Sequence, residues 1–149
     1  MARIVGRVHQ SGSFCQFLPN DCPSSLRWLV DELSSQISRV APRLQLRPFN
    51  EFTFQRYRVR TDYVGAHRDQ ARYRGLIAAF TLTGSSSFSI MADDRETILD
   101  SWSTAPGDLV LLRASKGPGN GLSVIHKVDA PPEGIRVSLT LRHNALVRT

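Results

Sequence analysis

His67 and Asp69 stand one residue apart, in the run His67-Arg68-Asp69. On an extended strand, side chains two positions apart project from the same face, so this pair would aim an imidazole and a carboxylate at one point. With one distant histidine, such a pair makes the 2-His-1-carboxylate facial set, which leaves positions open on a non-haem Fe(II). A second candidate for chemistry lies near the C-terminal end. There Ile135, Val137, Leu139 and Leu141 alternate with Arg136, Ser138, Thr140 and Arg142. One face of such a strand packs against structure, and the other meets either solvent or a barrel interior. A guanidinium fixed in the interior would clamp a carboxylate through two parallel hydrogen bonds. On an edge strand it would sit in water, and the alternation is compatible with both.

Other motifs point to less. Ser85, Ser86 and Ser87 lack the strand-turn-helix context of a nucleophile elbow, which argues against a hydrolase. The run from Gly117 to Gly121 lacks the Lys-Ser/Thr of a phosphate-binding loop and reads as a loop leading to His126. Asp93, Asp94 and Glu96 read as a solvated turn, His9 and His143 as surface, and Trp28 and Trp102 as packing side chains.

The elements that would position these residues follow from periodicity. Cys22-Pro23-Ser24-Ser25 has the Pro and Ser of a helix entry. Leu26, Leu29, Val30, Leu33, Ile37 and Val40 follow at helical spacing, so one amphipathic helix is predicted over 24–39, ended by Ala41-Pro42. Residues 1–20 read as irregular, with one short strand at 3–8. From Leu44 onward the helical period is lost. Short β-like runs take over at 44–48, 52–59, 63–67, 76–83, 88–91, 96–102, 108–113, 122–128 and 135–142, separated by Gly, Pro, Ser and Asp. One helix followed by short strands, with no alternating helices, predicts a mainly β sandwich or jelly roll.

A chain of 149 residues with no linker or repeat is expected to form one domain, 1–149. Its net charge of +6 and pI near 10.1 suit an acidic partner, or serve only solubility. Cys15 and Cys22 are too few for a disulfide framework and read as a reduced pair. The N-terminal run has no apolar signal core, and no apolar run reaches membrane-spanning length, so a cytoplasmic protein is expected.

Taken in order, these features resemble a known family. His67-x-Asp69, an apolar strand, a serine-rich turn, Pro106-Gly107-Asp108 with the apolar run 109–112, His126 and then Arg136 look like the core of the Fe(II)/2-oxoglutarate-dependent oxygenases. Gln55-Arg56-Tyr57, the Gly65-x-His67-x-Asp69 run, the run 76–82 with Phe88, and Arg136-Val-Ser-Leu-Thr-Leu-Arg142 resemble the AlkB-like branch. The likeness covers about 24–144. It implies a double-stranded β-helix (jelly roll) with one N-terminal amphipathic helix packed on it. It further implies that His67, Asp69 and His126 hold Fe(II), and that 2-oxoglutarate and O2 are cosubstrates. Tyr57 would donate its phenol to 2-oxoglutarate, Arg136 would pair with its distal carboxylate, and Arg142 would lie near its other end or near Asp69. Gln55 and Ser138 stand where the pattern has asparagine, and both keep polar groups for altered hydrogen bonds.

The resemblance implies a dioxygenase that hydroxylates or oxidatively demethylates its substrate. Alkylated nucleic acid is one substrate class. Arg56, Arg58, Arg60, Arg68, Arg72 and Arg74 could form a rim that contacts phosphates, and Tyr63 and Tyr73 could stack on a base. The other class is a small molecule, amino acid or peptide. In its favour, Gln70-Ala71 follow Asp69 where nucleic-acid dealkylases of this branch often carry acidic residues.

Overall fold

The computed structural model describes residues 2–5, 8–44, 46–114 and 123–147. The glycine-rich run 117–121, expected as a loop, lies outside them. The chain opens with three strands: β1 (Ala2–Val5), β2 (Val8–Ser11) and β3 (Ser13–Phe17). The expectation of an irregular start with one strand at 3–8 is therefore corrected. Strand β3, Ser-Phe-Cys-Gln-Phe, is mostly exposed and its apolar residues do not alternate with polar ones. Its pairing with the next long strand, Ser13 opposite Arg56 through Phe17 opposite Phe52, supplies what local pattern does not. A single residue, Gly12, separates β2 in one sheet from β3 in the other. Its φ of +152° and the 3.1 Å that would separate a Cβ there from the Arg56 carbonyl oxygen suit glycine alone.

Helix α1 (Ser24–Val40) follows Pro23 and buries Leu26, Val30 and Ile37. Leu26 and Val30 pack with Phe49, Phe52, Ala78, Leu139 and Leu141. Each fully buried side chain of this size stabilises the fold by about 1.5–3 kcal/mol. Trp28, expected as a packing side chain, is instead 68% exposed. It lies two residues beyond Leu26, on the opposite side of a helix with 3.6 residues per turn. The strand expected at 44–48 is also absent among the described residues. Pro42–Leu44 form a short 3-10 turn and 46–48 have no regular structure. Pro42 and Pro48 bracket the segment, and each lacks the N–H that a sheet ladder needs.

The barrel strands are β4 (Glu51–Arg58), β5 (Val64–His67), β6 (Tyr73–Thr83), β7 (Ser86–Met91), β8 (Ile98–Thr104), β9 (Leu109–Arg113), β10 (Ile125–Val128) and β11 (Ile135–Asn144). They form two antiparallel sheets, ordered β3-β4-β11-β6-β9 and β1-β2-β5-β10-β7-β8. From β4 onward the chain passes repeatedly between the sheets, which is the topology of a jelly roll. Alternation assigns the two faces of the first sheet. Phe52, Phe54, Leu139 and Leu141 meet α1, while Thr53, Gln55, Tyr57, Arg136, Ser138, Thr140 and Arg142 face the space between the sheets. Ile77, Phe88 and Leu112 form the apolar packing on that inner side. No helix among the described residues is long and apolar enough to cross a membrane.

Candidate metal centre

Strands β5 and β10 pair so that His67 lies directly opposite His126. Asp69 follows β5 by two residues. One ligand atom from each of His67, Asp69 and His126 lies within 4.8 Å of the others, and His126 Nε2 is 3.7 Å from an Asp69 carboxylate oxygen. The two rings tilt against each other with centroids 4.4 Å apart. His67 Nδ1 is 2.8 Å from the Gly65 carbonyl, and His126 Nδ1 is 3.2 Å from the Val124 carbonyl. With each Nδ1–H donating to a carbonyl, each Nε2 keeps its lone pair for a metal. Burial, and then the neighbouring His126, push the pKa of His67 down to about 4, so its ring is neutral at physiological pH. Phe88 stacks on His126 at 5.5 Å and 7°, and Trp102 stacks on Phe88 at 5.2 Å, although Trp102 remains 38% exposed. Two imidazoles and a carboxylate, converged and preset in tautomer, fit an Fe(II) facial set.

A cavity of about 90 Å³ runs inward from the triad. Its apolar wall includes Ile77, Phe88, Val110 and Leu112, and its polar floor is formed by Tyr57, Arg136, Ser138 and Thr140. Arg136 and Tyr57 are opposite each other across the β11–β4 ladder, with the guanidinium 5.5 Å from the ring centroid. Tyr57 is 2% exposed, and burial pushes its phenol up to about 12, so it stays a donor. Arg136 is 4% exposed, and burial lowers its pKa. Its Nη2 donates to Thr81 Oγ1 at 3.1 Å, while its Nε has no hydrogen-bond partner. It makes no ion pair among the described residues. A buried cation left so is costly unless a ligand anion completes it, and a dicarboxylate reaching from the triad would do so.

Arg142 stands at the other end of the same strand face. Its Nε is 4.0 Å from Asp69 and its Nη1 is 3.9 Å from Glu51. Glu51, 2% exposed, accepts from the Tyr73 phenol and from Asn144 Nδ2, each at 2.7 Å. Glu51 and Thr81 were absent from the sequence-based candidates. Glu51 could have been found, because it shares the inward face of β4 with Thr53, Gln55 and Tyr57 at two-residue steps. Ser138 and Gln55, the two departures from the AlkB-like pattern, meet each other: Gln55 Oε1 accepts from Ser138 at 3.4 Å and from Thr140 at 3.2 Å.

The six arginines lie on different elements and have different partners, with Arg74 on β6 opposite His143. Arg56 and Arg58 alternate with Tyr57 and project from the opposite face of β4. Arg58 is held by Asp62, and the Arg60 backbone N–H donates to Pro131 O, both near the Arg136 end of the barrel. Arg68 donates to Asp93 and to the Ser123 carbonyl, and Arg72 donates to the Tyr73 hydroxyl. Tyr73 is buried, which removes it as a stacking surface, while Tyr63 is exposed. Nearness in sequence does not carry over here because strand alternation sends neighbours to opposite faces.

No family model and no curated protein matches the chain. Solved structures do. The chain superposes on a Pseudomonas putida prolyl-4-hydroxylase with a TM-score of 0.61 and 19% identity, over 91% of this chain and 70% of that one. OsALKBH1 gives a TM-score of 0.58 at 15% identity over 83% of this chain, which spans 65% of that protein. The viral collagen prolyl hydroxylase of Paramecium bursaria Chlorella virus-1, solved as a 2OG complex, gives 0.57 at 12% over 89% and 78%. At these identities the likeness is one of fold, and the chain shares the β-barrel fold of these two hydroxylases and of the AlkB homologue.

Proposed function

We propose that the protein is an Fe(II)- and 2-oxoglutarate-dependent dioxygenase that hydroxylates or oxidatively demethylates its substrate. The observation that carries this reading is Arg136, a buried guanidinium with an unpartnered Nε and no carboxylate, on the floor of a cavity that begins at His67, Asp69 and His126. The shared fold with prolyl hydroxylases and an AlkB homologue supports it further. Fe(II) with 2-oxoglutarate and O2 supplies an oxidant that converts a substrate C–H to C–OH while 2-oxoglutarate is converted to succinate and CO2.

The chain's own residues bind and orient. His67, Asp69 and His126 hold the metal on one face. Arg136 takes the distal carboxylate of 2-oxoglutarate in a charge-assisted pair, and Tyr57 donates its phenolic proton to the same end. Ser138 and Thr140 line the path between the two ends, with Gln55 held against them. Arg142, itself braced by Glu51, sits over Asp69 and restrains the carboxylate. Phe88 and its apolar neighbours exclude water from the interior side.

Alkylated nucleic acid is the substrate class favoured by the AlkB-like motifs and the net charge of +6. The second reading, a small molecule or peptide, is favoured by the dispersal of the arginines expected as a phosphate-binding rim. Anaerobic titration with Fe(II) and 2-oxoglutarate tests the chemistry. A charge-transfer absorption that requires both, and that is lost in His67→Ala and His126→Ala, is expected. Its absence in the folded protein would overturn the reading. Mass spectrometry of methylated oligonucleotides, peptides and metabolites after aerobic turnover then separates the substrate classes.

A further inference from the structure

The three central strands of the first sheet bring a buried acid to the side of the triad. Glu51 opens β4, Arg142 lies opposite it on β11, and Asn144 of β11 lies opposite Tyr73 at the start of β6. Glu51 is 2% exposed, and both of its carboxylate oxygens accept hydrogen bonds: Oε1 from the Tyr73 phenol and Oε2 from Asn144 Nδ2. Asn144 is fixed in turn by Asn50, which accepts from its backbone N–H at 2.6 Å and donates to its carbonyl at 3.0 Å. Glu51 does not belong to the ligand cluster of His67, Asp69 and His126. A carboxylate buried this deeply needs donors and cations around it, so its position beside the cluster calls for a reason.

That reason lies in the cations. Arg142 stands between two carboxylates, with Nε 4.0 Å from Asp69 Oδ1 and Nη1 3.9 Å from Glu51 Oε1. It donates to Thr53 Oγ1 at 3.2 Å and lies 5.0 Å from the Tyr73 ring centroid. Arg72 lies 5.1 Å from the same centroid and donates to the Tyr73 hydroxyl. Asp69 divides its oxygens, Oδ2 toward His126 and Oδ1 toward Arg142. Without Glu51, a divalent metal held by the triad would meet two guanidiniums with only Asp69 to offset them. Repulsion between a dication and a guanidinium is strong where water is largely excluded.

We propose that Glu51 is a positioning residue for the metal centre and acts through its charge. It neutralises Arg142, so that Arg142 can hold one oxygen of Asp69 without repelling the dication that Asp69 binds. The inference rests on the metal-centre reading of the triad and goes beyond mechanical bracing of Arg142. A brace acts through contact and shape, whereas a counter-charge matters only while the cation that it offsets is present.

The test is Co(II) binding to the full-length apo protein, followed by visible absorption and by calorimetry, with no cosubstrate and no turnover. Glu51→Gln, which is nearly isosteric, is expected to weaken Co(II) binding by about tenfold or more, as loss of a partner behind a metal ligand does. Introduced into an Arg142→Met background, the same substitution should change the affinity by less than about twofold, because no cation remains to be offset. Tyr73→Phe removes a hydrogen bond to Glu51 but no charge, and should keep Co(II) affinity within about threefold of wild type. Circular dichroism confirms that each variant folds, and Tyr73→Phe keeps the proposal open to refutation should Glu51→Gln fail to fold. Unchanged affinity in Glu51→Gln, an equal loss in the Arg142→Met background, or a tenfold loss in Tyr73→Phe overturns the proposal while leaving the metal centre standing. A folded wild-type protein that binds no Co(II) refutes the metal-centre reading itself, and this inference with it.

Discussion

Arg136 is held by Thr81 and by packing on Tyr57, with no counter-charge. If its role were structural, removing it would destabilise the protein. If it awaits an anion, the apo protein gains from losing an unpaired buried charge. Arg136→Met is therefore expected to leave the unfolding midpoint of the apo protein unchanged or raised, while weakening 2-oxoglutarate binding by about thirtyfold or more. Denaturation with and without 2-oxoglutarate checks both halves, since ligand should stabilise only the wild type. Asp62 is the contrasting case, a buried acid with all its partners in place. It accepts from the Ser11 hydroxyl at 2.6 Å, the Arg58 backbone N–H at 2.9 Å and the Arg58 guanidinium at 2.9 Å. The Arg58 hydrogen bond, foremost, holds its pKa well below the ordinary 3.8. A lowered folded-state pKa means that this stabilisation is present above the ordinary value and is lost as pH falls below it. Asp62→Ala should cost about 1–3 kcal/mol near neutrality, chiefly through the buried Ser11 and backbone bonds. Unfolding followed from pH 7 down to about pH 2 should show the gap between variant and wild type beginning to narrow as pH falls below the ordinary value and continuing to shrink to the acid limit, and a constant gap would refute the assignment.

At the scale of elements, the β11–β4 ladder sets the depth of the site. Arg142 lies opposite Glu51 at the triad end and Arg136 opposite Tyr57 at the floor. Gly84, in the link between β6 and β7, fixes that floor from beneath. Its φ is +67°, and a Cβ there would lie 2.6 Å from the Ile135 carbonyl oxygen and 2.9 Å from the Arg136 Cα. Gly84→Ala should cost about 2 kcal/mol or more, from strain and displaced backbone together, and should weaken 2-oxoglutarate binding beyond the loss of stability. Unfolding and ligand titration at a temperature where the variant is folded separate the two effects. The strand that carries these arginines was legible in the sequence, because its strict alternation survives as burial of Leu139 and Leu141 against α1 and of Arg136 and Ser138 inside. The His67–Asp69 pair was legible for the same reason, and the resemblance joined it to His126. The sequence could not disclose β3, which is short, mostly exposed, without regular alternation and paired in its sheet only with β4, and with it the placement of Phe14 and Gln16 was lost. Nor could local reading say which arginines share a surface, because that depends on strand direction and on partners such as Asp93 that lie far along the chain.

The same dispersal governs how the whole molecule should meet a polyanion. A net charge of +6 guarantees attraction at long range, but steep salt dependence requires cations that replace counterions at several adjacent phosphates. Arg56 and Arg58 point away from the triad, Arg60 lies near the Arg136 end, Arg68 is engaged with Asp93, and Arg72 donates to the Tyr73 hydroxyl, with Arg74 on β6. Few of the six can therefore contact one strand whose base reaches the triad. Each phosphate neutralised on a single strand contributes about −0.7 to the slope of log K against log salt. The expected slope for an oligonucleotide bearing a modified base is thus shallow, about −2 or less in magnitude, since it counts only a few contacts. Fluorescence anisotropy across a series of salt concentrations measures it. Arg60→Ala, remote from the triad, should leave the slope unchanged, whereas a slope near −5 that Arg60→Ala reduces would mean that nucleic acid binds along the outer face of the barrel and not at the triad.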